Sequence, residues 1–263
     1  MFTTPALHGL RFAFGTLSVL PVRVTRWDRE AARGGMLAAP VVGLAVGGAA
    51  ALTALLLLTL GAAPLLATVA AVAVPAVLTR GLHLDGLADT ADGLGSGKPA
   101  EDALRIMKQS DIGPFGVLTL VFVVLGQTAA LAQVYGESWS RGAFATAVSA
   151  VAARLALTLA ARAGVPAARP EGLGAAVAGV VPVGRAAGAA VAVVAVAAAV
   201  GGLSFGAGEI LRTGCALVAA LAAAESLLRH CTRRFGGVTG DVFGGLAETA
   251  ATVSLVVMSL SLG

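Results

Sequence analysis

Apolar stretches long enough to cross a bilayer recur along this chain, separated by short polar loops. Seven read as spans: 34–60, 64–79, 113–134, 142–163, 186–205, 209–228 and 241–262. A crossing takes roughly 20 mostly apolar residues, so the second run is short, and Pro75 interrupts it. The first apolar stretch, 8–22, is broken by Arg11 and stopped by Pro21 with no small-residue cleavage pattern behind it. It reads as an element lying along the membrane surface rather than a cleaved signal peptide. Residues 165–183 are apolar but carry Pro166, Pro170 and Pro182, which predicts a partial or re-entrant segment. The pattern predicts an all-α fold: a polytopic transmembrane helix bundle of about seven spans, built as one integral membrane domain over 1–263.

Composition agrees with this. The chain is 57% hydrophobic and 12% charged, against about 45 to 50% apolar and about 25% charged in a soluble domain. Its 35 glycines suit close helix packing, as at Gly43 and Gly47, whose G-x-x-x-G spacing lets backbones approach. Trp27, Tyr135 and Trp139 fall near span ends, where amphipathic rings prefer to sit. Cys215 and Cys231 match no zinc spacing and no disulfide framework, and read as unpaired thiols.

The net charge of +4 does not point to nucleic acid, because the basic residues are spread between apolar runs rather than gathered in one patch. They carry topology instead. Alternate loops hold Arg11, Arg23, Arg26, Arg29 and Arg33, then Arg80, Lys98, Arg105 and Lys108, then Arg162, Arg169 and Arg185, then Arg229, Arg233 and Arg234; the opposite loops hold Arg141 and Arg212. Since loops rich in Lys and Arg stay in the cytoplasm, the amino terminus is expected there and the carboxyl terminus outside. Two polar loops, 80–112 and 229–241, then share the cytoplasmic side, as one active site requires.

The first loop opens Gly-Leu-His-Leu-Asp-Gly-Leu-Ala-Asp-Thr-Ala-Asp-Gly-Leu, 81–94. Asp85, Asp89 and Asp92 stand at i, i+4 and i+7, so a helix brings three carboxylates onto one face within about two turns. Unpaired they repel one another, and a hard divalent cation among them makes the arrangement favourable; Mg2+ held by carboxylates with room for substrate phosphates is the usual solution. The bland alternative is a solvated acidic turn with Asp85 as a helix cap. His83 is a proton acceptor beside the carboxylates or a hydrogen-bonded structural histidine. Lys98, Arg105 and Lys108 neutralise substrate phosphates or simply solvate a cytoplasmic loop. The run Gly93 to Lys98 is one residue too short for a P-loop, and Pro99 replaces its Ser or Thr. In the second loop, the glycines up to Gly240 allow a tight backbone around an anion, and Asp241 with Glu248 seven residues on are further metal-ligand candidates. Glu248, Arg154 and Glu225 alternatively pair with one another to offset burial.

The string His83-Leu84-Asp85-Gly86-Leu87-Ala88-Asp89-Thr90-Ala91-Asp92-Gly93, with Ile106-Met107-Lys108, Ile112-Gly113-Pro114-Phe115-Gly116 and Gly237-Val238-Thr239-Gly240-Asp241, resembles the adenosylcobinamide-GDP ribazoletransferase, or cobalamin synthase, family. The resemblance runs over nearly the whole chain, Leu20-Pro21-Val22 included. It implies a Mg2+-dependent multi-pass enzyme of the bacterial cytoplasmic membrane, its active site facing the cytoplasm. Such an enzyme condenses adenosylcobinamide-GDP with α-ribazole or its 5′-phosphate, releasing GMP. On that reading Asp85, Asp89, Asp92, Asp241 and Glu248 hold metal, and Asp89, His83 and Lys108 serve the reaction. Lys98, Arg105, Asp111 and Gly240 bind substrate, membrane lipid is the other partner, and a homo-oligomer is compatible with the pattern. One departure stands out: where the family commonly reads I-M-K-D-S-R-I-G, residues 106–113 read Ile-Met-Lys-Gln-Ser-Asp-Ile-Gly, placing Gln109 at the usual acid and Asp111 at the usual base. A CDP-alcohol phosphotransferase is the nearest rival, but its D-G-x-x-A-R opening fails because Asp85-Gly86-Leu87-Ala88 is followed by Asp89-Thr90. A transporter is the rival of another class, although no internal repeat of the sort many carriers show is present.

Overall fold

A computed structural model describes residues 5–260. These form eleven helices and, among the described residues, no strands. The helices are α1 (Pro5–Leu17), α2 (Arg29–Thr59), α3 (Pro64–Leu78), α4 (Leu82–Gly95), α5 (Ala100–Ile106), α6 (Pro114–Glu137), α7 (Trp139–Ala160), α8 (Gly172–Val177), α9 (Val183–Phe205), α10 (Ala207–Phe235) and α11 (Gly240–Ser259). Six are long and apolar enough to span a membrane: α2, α6, α7, α9, α10 and α11. The seventh expected span corresponds to α3, which joins α4 as a pair bent by 88°. At α2 the sequence reading starts late: Asp28 caps the helix, its carboxylate accepting from the backbone N–H groups of Glu30 and Ala31, each at 3.0 Å. Arg26, hydrogen-bonded to that carboxylate at 2.7 Å, holds it below the usual aspartate range.

The bundle is organised around α7, most of which is buried, whereas α9 lies at the rim with most of its surface outward. Large apolar side chains such as Phe122, Val191 and Leu203 point away from the protein, as expected for helices facing hydrocarbon. Within lipid, helices are held together by packing and interhelical hydrogen bonds rather than by escape from water. Small residues therefore dominate the contacts. Gly43 and Gly47 meet α7 directly: a Cβ on Gly43 would lie 2.4 Å from the carbonyl oxygen of Ala150, and one on Gly47 would lie 2.7 Å from its Cβ. Nearby, the hydroxyl of Thr158 donates to the Met36 carbonyl at 2.6 Å, tying α7 to α2. Because the obstacle at Gly43 is backbone, Gly43→Ala is expected to destabilise the fold by about 1–3 kcal/mol, as overpacking does. Unfolding of the variant in detergent reads this, and unchanged stability would mean that α2 and α7 separate easily.

Helix α1 packs on α2 with backbones in contact at Gly9 and Gly34, and it buries Phe12. The proline-broken stretch after α7 does not cross the bundle. It runs back across one end, its backbone bonded to the end of α7 through Ala163 to Val181 and Val181 to Ala161 at 2.7 and 3.0 Å, and it contains the single turn-and-a-half of α8. Its other side lies along the loop before α11, where Val238 donates to Pro166 and Ala168 donates to Val238, both at 2.9 Å.

Candidate active site

The expected helix over the aspartates is α4. It is reached through Arg80 at φ +53° and Gly81 at φ +71°, two successive left-handed residues that turn the chain sharply after α3. Gly81 occupies the cap position, so Asp85, in the first turn, is not a cap; its side chain is exposed toward the cleft described below.

Glycine decides where α4 lies. A Cβ on Gly86 would sit 2.6 Å from the carbonyl oxygen of Asp241 and 2.9 Å from its Cα. One on Gly244 would sit 2.8 Å from the His83 carbonyl oxygen and 3.0 Å from Gly86 Cα. Here α4 crosses the start of α11 backbone against backbone, which sets the Asp85–Asp89 face beside Asp241. The half-buried Asp89 consequently has Asp241, Asp85 and Asp92 as like-charged neighbours and Arg169 as the opposing charge. Arg169 comes from the segment after α7: its Nη1 lies 3.7 Å from Oδ2 of Asp241, and its Nη2 donates to the Leu104 carbonyl at the end of α5. Thr239 caps α11, accepting from the Val242 N–H at 3.2 Å and contacting Oδ2 of Asp241 at 3.1 Å.

Asp85, Arg169, Glu171, Gly240 and Asp241 ring a cleft of about 260 Å³ whose apolar walls include Met36 and Phe243. His83 also lines it, although the residue is buried and its Nε2 has no hydrogen-bond partner among the described residues. The close fit of the post-α7 segment against the glycine loop builds the far wall: Gly174 abuts the Thr239–Gly240 backbone, and Gly237 abuts Pro166 to Ala168. Arg169 and Glu171 were legible only as charges in a loop, since nothing local in the sequence says that this loop folds back onto α11.

The other expected residues stand elsewhere. Asp92 is buried, and its two oxygens accept the N–H groups of Gly113 at 2.7 Å and Gly116 at 2.9 Å, capping α6. Glu248, two turns deeper in α11, accepts from the Gln127 side chain at 2.8 Å and has Arg154 as its charged neighbour in a separate small cavity. Glu225 does not join Arg154; it pairs with Arg162 at 2.9 Å and Arg229 at 2.7 Å. Lys108 lies exposed at the rim, 3.7 Å from Glu171, and Arg105 pairs with Asp102. Lys98 and Asp111 are exposed and do not line the cleft. Among the described residues, no three His, Cys, Asp or Glu side chains converge closely enough to hold one ion by themselves. The arrangement offers carboxylates from two helices, one guanidinium opposite them and a small cleft between: an oxygen-donor site open to an outside anion.

A family model described as cobalamin-5-phosphate synthase matches residues 9–259. An adenosylcobinamide-GDP ribazoletransferase of Frankia casuarinae is 44% identical, over 96% of this chain and 94% of its own length. Proteins of the same name from Nocardioides sp. and Bradyrhizobium diazoefficiens are 39% and 38% identical, each over 94% of this chain and over 96% and 92% of their own lengths. No solved structure matches the chain.

Proposed function

Since the chain belongs to the cobalamin-5-phosphate synthase family, we propose that it condenses adenosylcobinamide-GDP with α-ribazole, or its 5′-phosphate, to adenosylcobalamin, or its 5′-phosphate, and GMP. The hydroxyl oxygen of the ribazole forms a bond to the cobinamide-linked phosphorus, and the bond from that phosphorus to the bridging oxygen breaks, so that GMP departs with the electron pair. The observation that carries this reading is the glycine crossing of α4 and α11, which brings Asp85 and Asp241 with Arg169 around a cleft of about 260 Å³ and sets Asp89 behind that lining as their charged neighbour. That volume lies below the usual range for a whole drug-sized ligand. It suits the reacting phosphates, with the corrin ring outside the mouth.

The donor set fits Mg2+. Its oxygens are hard, and Mg2+ commonly takes only one or two carboxylates and completes its shell with water and substrate phosphates, so a three-carboxylate cage is not needed. One or two of Asp85, Asp89 and Asp241 would hold the ion, which when bound would supply positive charge to the pyrophosphate and the departing GMP. Arg169, fixed by Asp241 and the Leu104 carbonyl, presents its remaining N–H groups to a phosphate oxygen. Asp85 or His83, both lining the cleft, takes the proton from the attacking hydroxyl. Lys108 at the rim and Gly240 in the wall position the substrate. The density of arginine in alternate loops supports a cytoplasmic-membrane enzyme whose cleft opens to the cytoplasm.

The test is turnover of the purified chain in liposomes with adenosylcobinamide-GDP and α-ribazole, the corrinoid product and GMP both read by mass spectrometry. Chelation with EDTA is expected to stop both products, and added Mg2+ to restore them. Product formation undiminished by chelator would sink the metal reading while leaving the transfer itself standing.

A further inference from the structure

A second cleft, of about 280 Å³, lies between the end of α7 and the last turns of α10 and shares no lining residue with the first. Its charge is unbalanced. Arg162, Arg229 and Arg233 line it with one acid, Glu225, a surplus of two positive charges. The basic side chains are also held in place. Arg162 Nη2 and Arg229 Nε both donate to the same Oε1 of Glu225, at 2.9 and 2.7 Å, and Arg162 Nη1 donates to the Leu159 carbonyl at 2.8 Å.

Glu225, Arg229 and Arg233 follow one another at four-residue steps on one face of α10. Arg233 is exposed and, among the described residues, in no ion pair. Each guanidinium has five N–H donors, so most remain free to face an anion in planar pairs. Elsewhere several arginines are already matched, Arg26 with Asp28 and Glu30, Arg105 with Asp102 and Arg141 with Glu209. Buried Val165 and Leu228 supply an apolar wall. Both α7 and α10 are candidate spans, and a basic cleft where two spans end lies at the level of lipid headgroups.

We propose that this cleft is a phosphate-binding site, occupied by the headgroup of an anionic phospholipid, with Arg162 and Arg229 pre-set by Glu225 and Arg233 as the unpaired clasp. A free phosphate anion offers the same chemistry, and the test separates the two sources. Purified full-length protein in detergent is titrated with phosphatidylglycerol or phosphatidylcholine, and bound lipids are counted by native mass spectrometry. Phosphatidylglycerol is expected to be retained roughly tenfold better, with the preference lost in Arg229→Gln/Arg233→Gln and unchanged in Arg212→Gln, in the second turn of α10 and so near the opposite end of that helix. If the double variant folds poorly, Arg233→Gln alone, which breaks no ion pair, is expected to reduce retention several-fold. Displacement of the lipid by millimolar inorganic phosphate would uphold the site and assign it to free anions; resistance to displacement would uphold it as a lipid site. Equal retention of the two lipids, or a preference untouched by either variant, would overturn it.

Discussion

Asp89→Asn is expected to lower turnover on the order of 10²- to 10³-fold, the usual cost of removing one pre-placed electrostatic group from a transition-state site. The substitution keeps the shape of the side chain, removes its charge and exchanges one acceptor oxygen for an N–H donor. Asp89 sits among Asp241, Asp85 and Asp92, so losing that charge also relieves repulsion in the metal-free protein. The variant is therefore expected to unfold no more easily than the parent in the presence of EDTA, and to gain less stability on adding Mg2+. That pairing of lost activity with retained or improved metal-free stability is the mark of a functional carboxylate. GMP release and thermal unfolding, each with and without Mg2+, read both halves. Turnover within a few-fold of the parent would remove Asp89 from the site.

Asp92→Ala is expected to act through the fold. Its carboxylate serves the N–H groups of Gly113 and Gly116 at the start of α6, and the alanine variant strands both donors, the first half-buried and the second buried. An unsatisfied buried donor costs about 1–3 kcal/mol, so the loss at Gly116, with a smaller one at half-buried Gly113, is a sizeable fraction of a typical domain's stability of about 5–15 kcal/mol. The glycines belong to the same device: a Cβ at either position would come within 2.5 Å of an Asp92 oxygen. Denaturation in detergent checks the prediction. A variant that keeps its stability yet loses Mg2+-dependent turnover would make Asp92 a metal ligand first and a clamp second.

The contrast between these two aspartates shows what was legible in the sequence. Apolar length placed the crossings, and α2, α6, α7, α9, α10 and α11 follow the expected runs within a few residues at most ends. The four-residue spacing of Asp85 and Asp89 gave a true helical face. A face, however, does not say what it meets. Asp92 is drawn to the start of α6 by contacts 21 and 24 residues away along the chain. Glu248, on the same helix as Asp241, is carried two turns deeper to Gln127. Arg169 reaches Asp241 only because its loop folds back along the residues before α11. These placements depend on tertiary packing, which local period and charge do not encode. Gln109 and Asp111 are both exposed and outside the cleft lining.

At Gly86 and Gly244 no side chain lies between α4 and α11. Elsewhere in a protein the gap between two functional groups is buffered by rotamers that can yield by a few tenths of an ångström. Here it is fixed by the thickness of two main chains, so Asp85 and Asp241 are gauged against each other by peptide geometry itself. Evolution can adjust the loops around this cleft, but it cannot lengthen or shorten that one spacer by a single carbon.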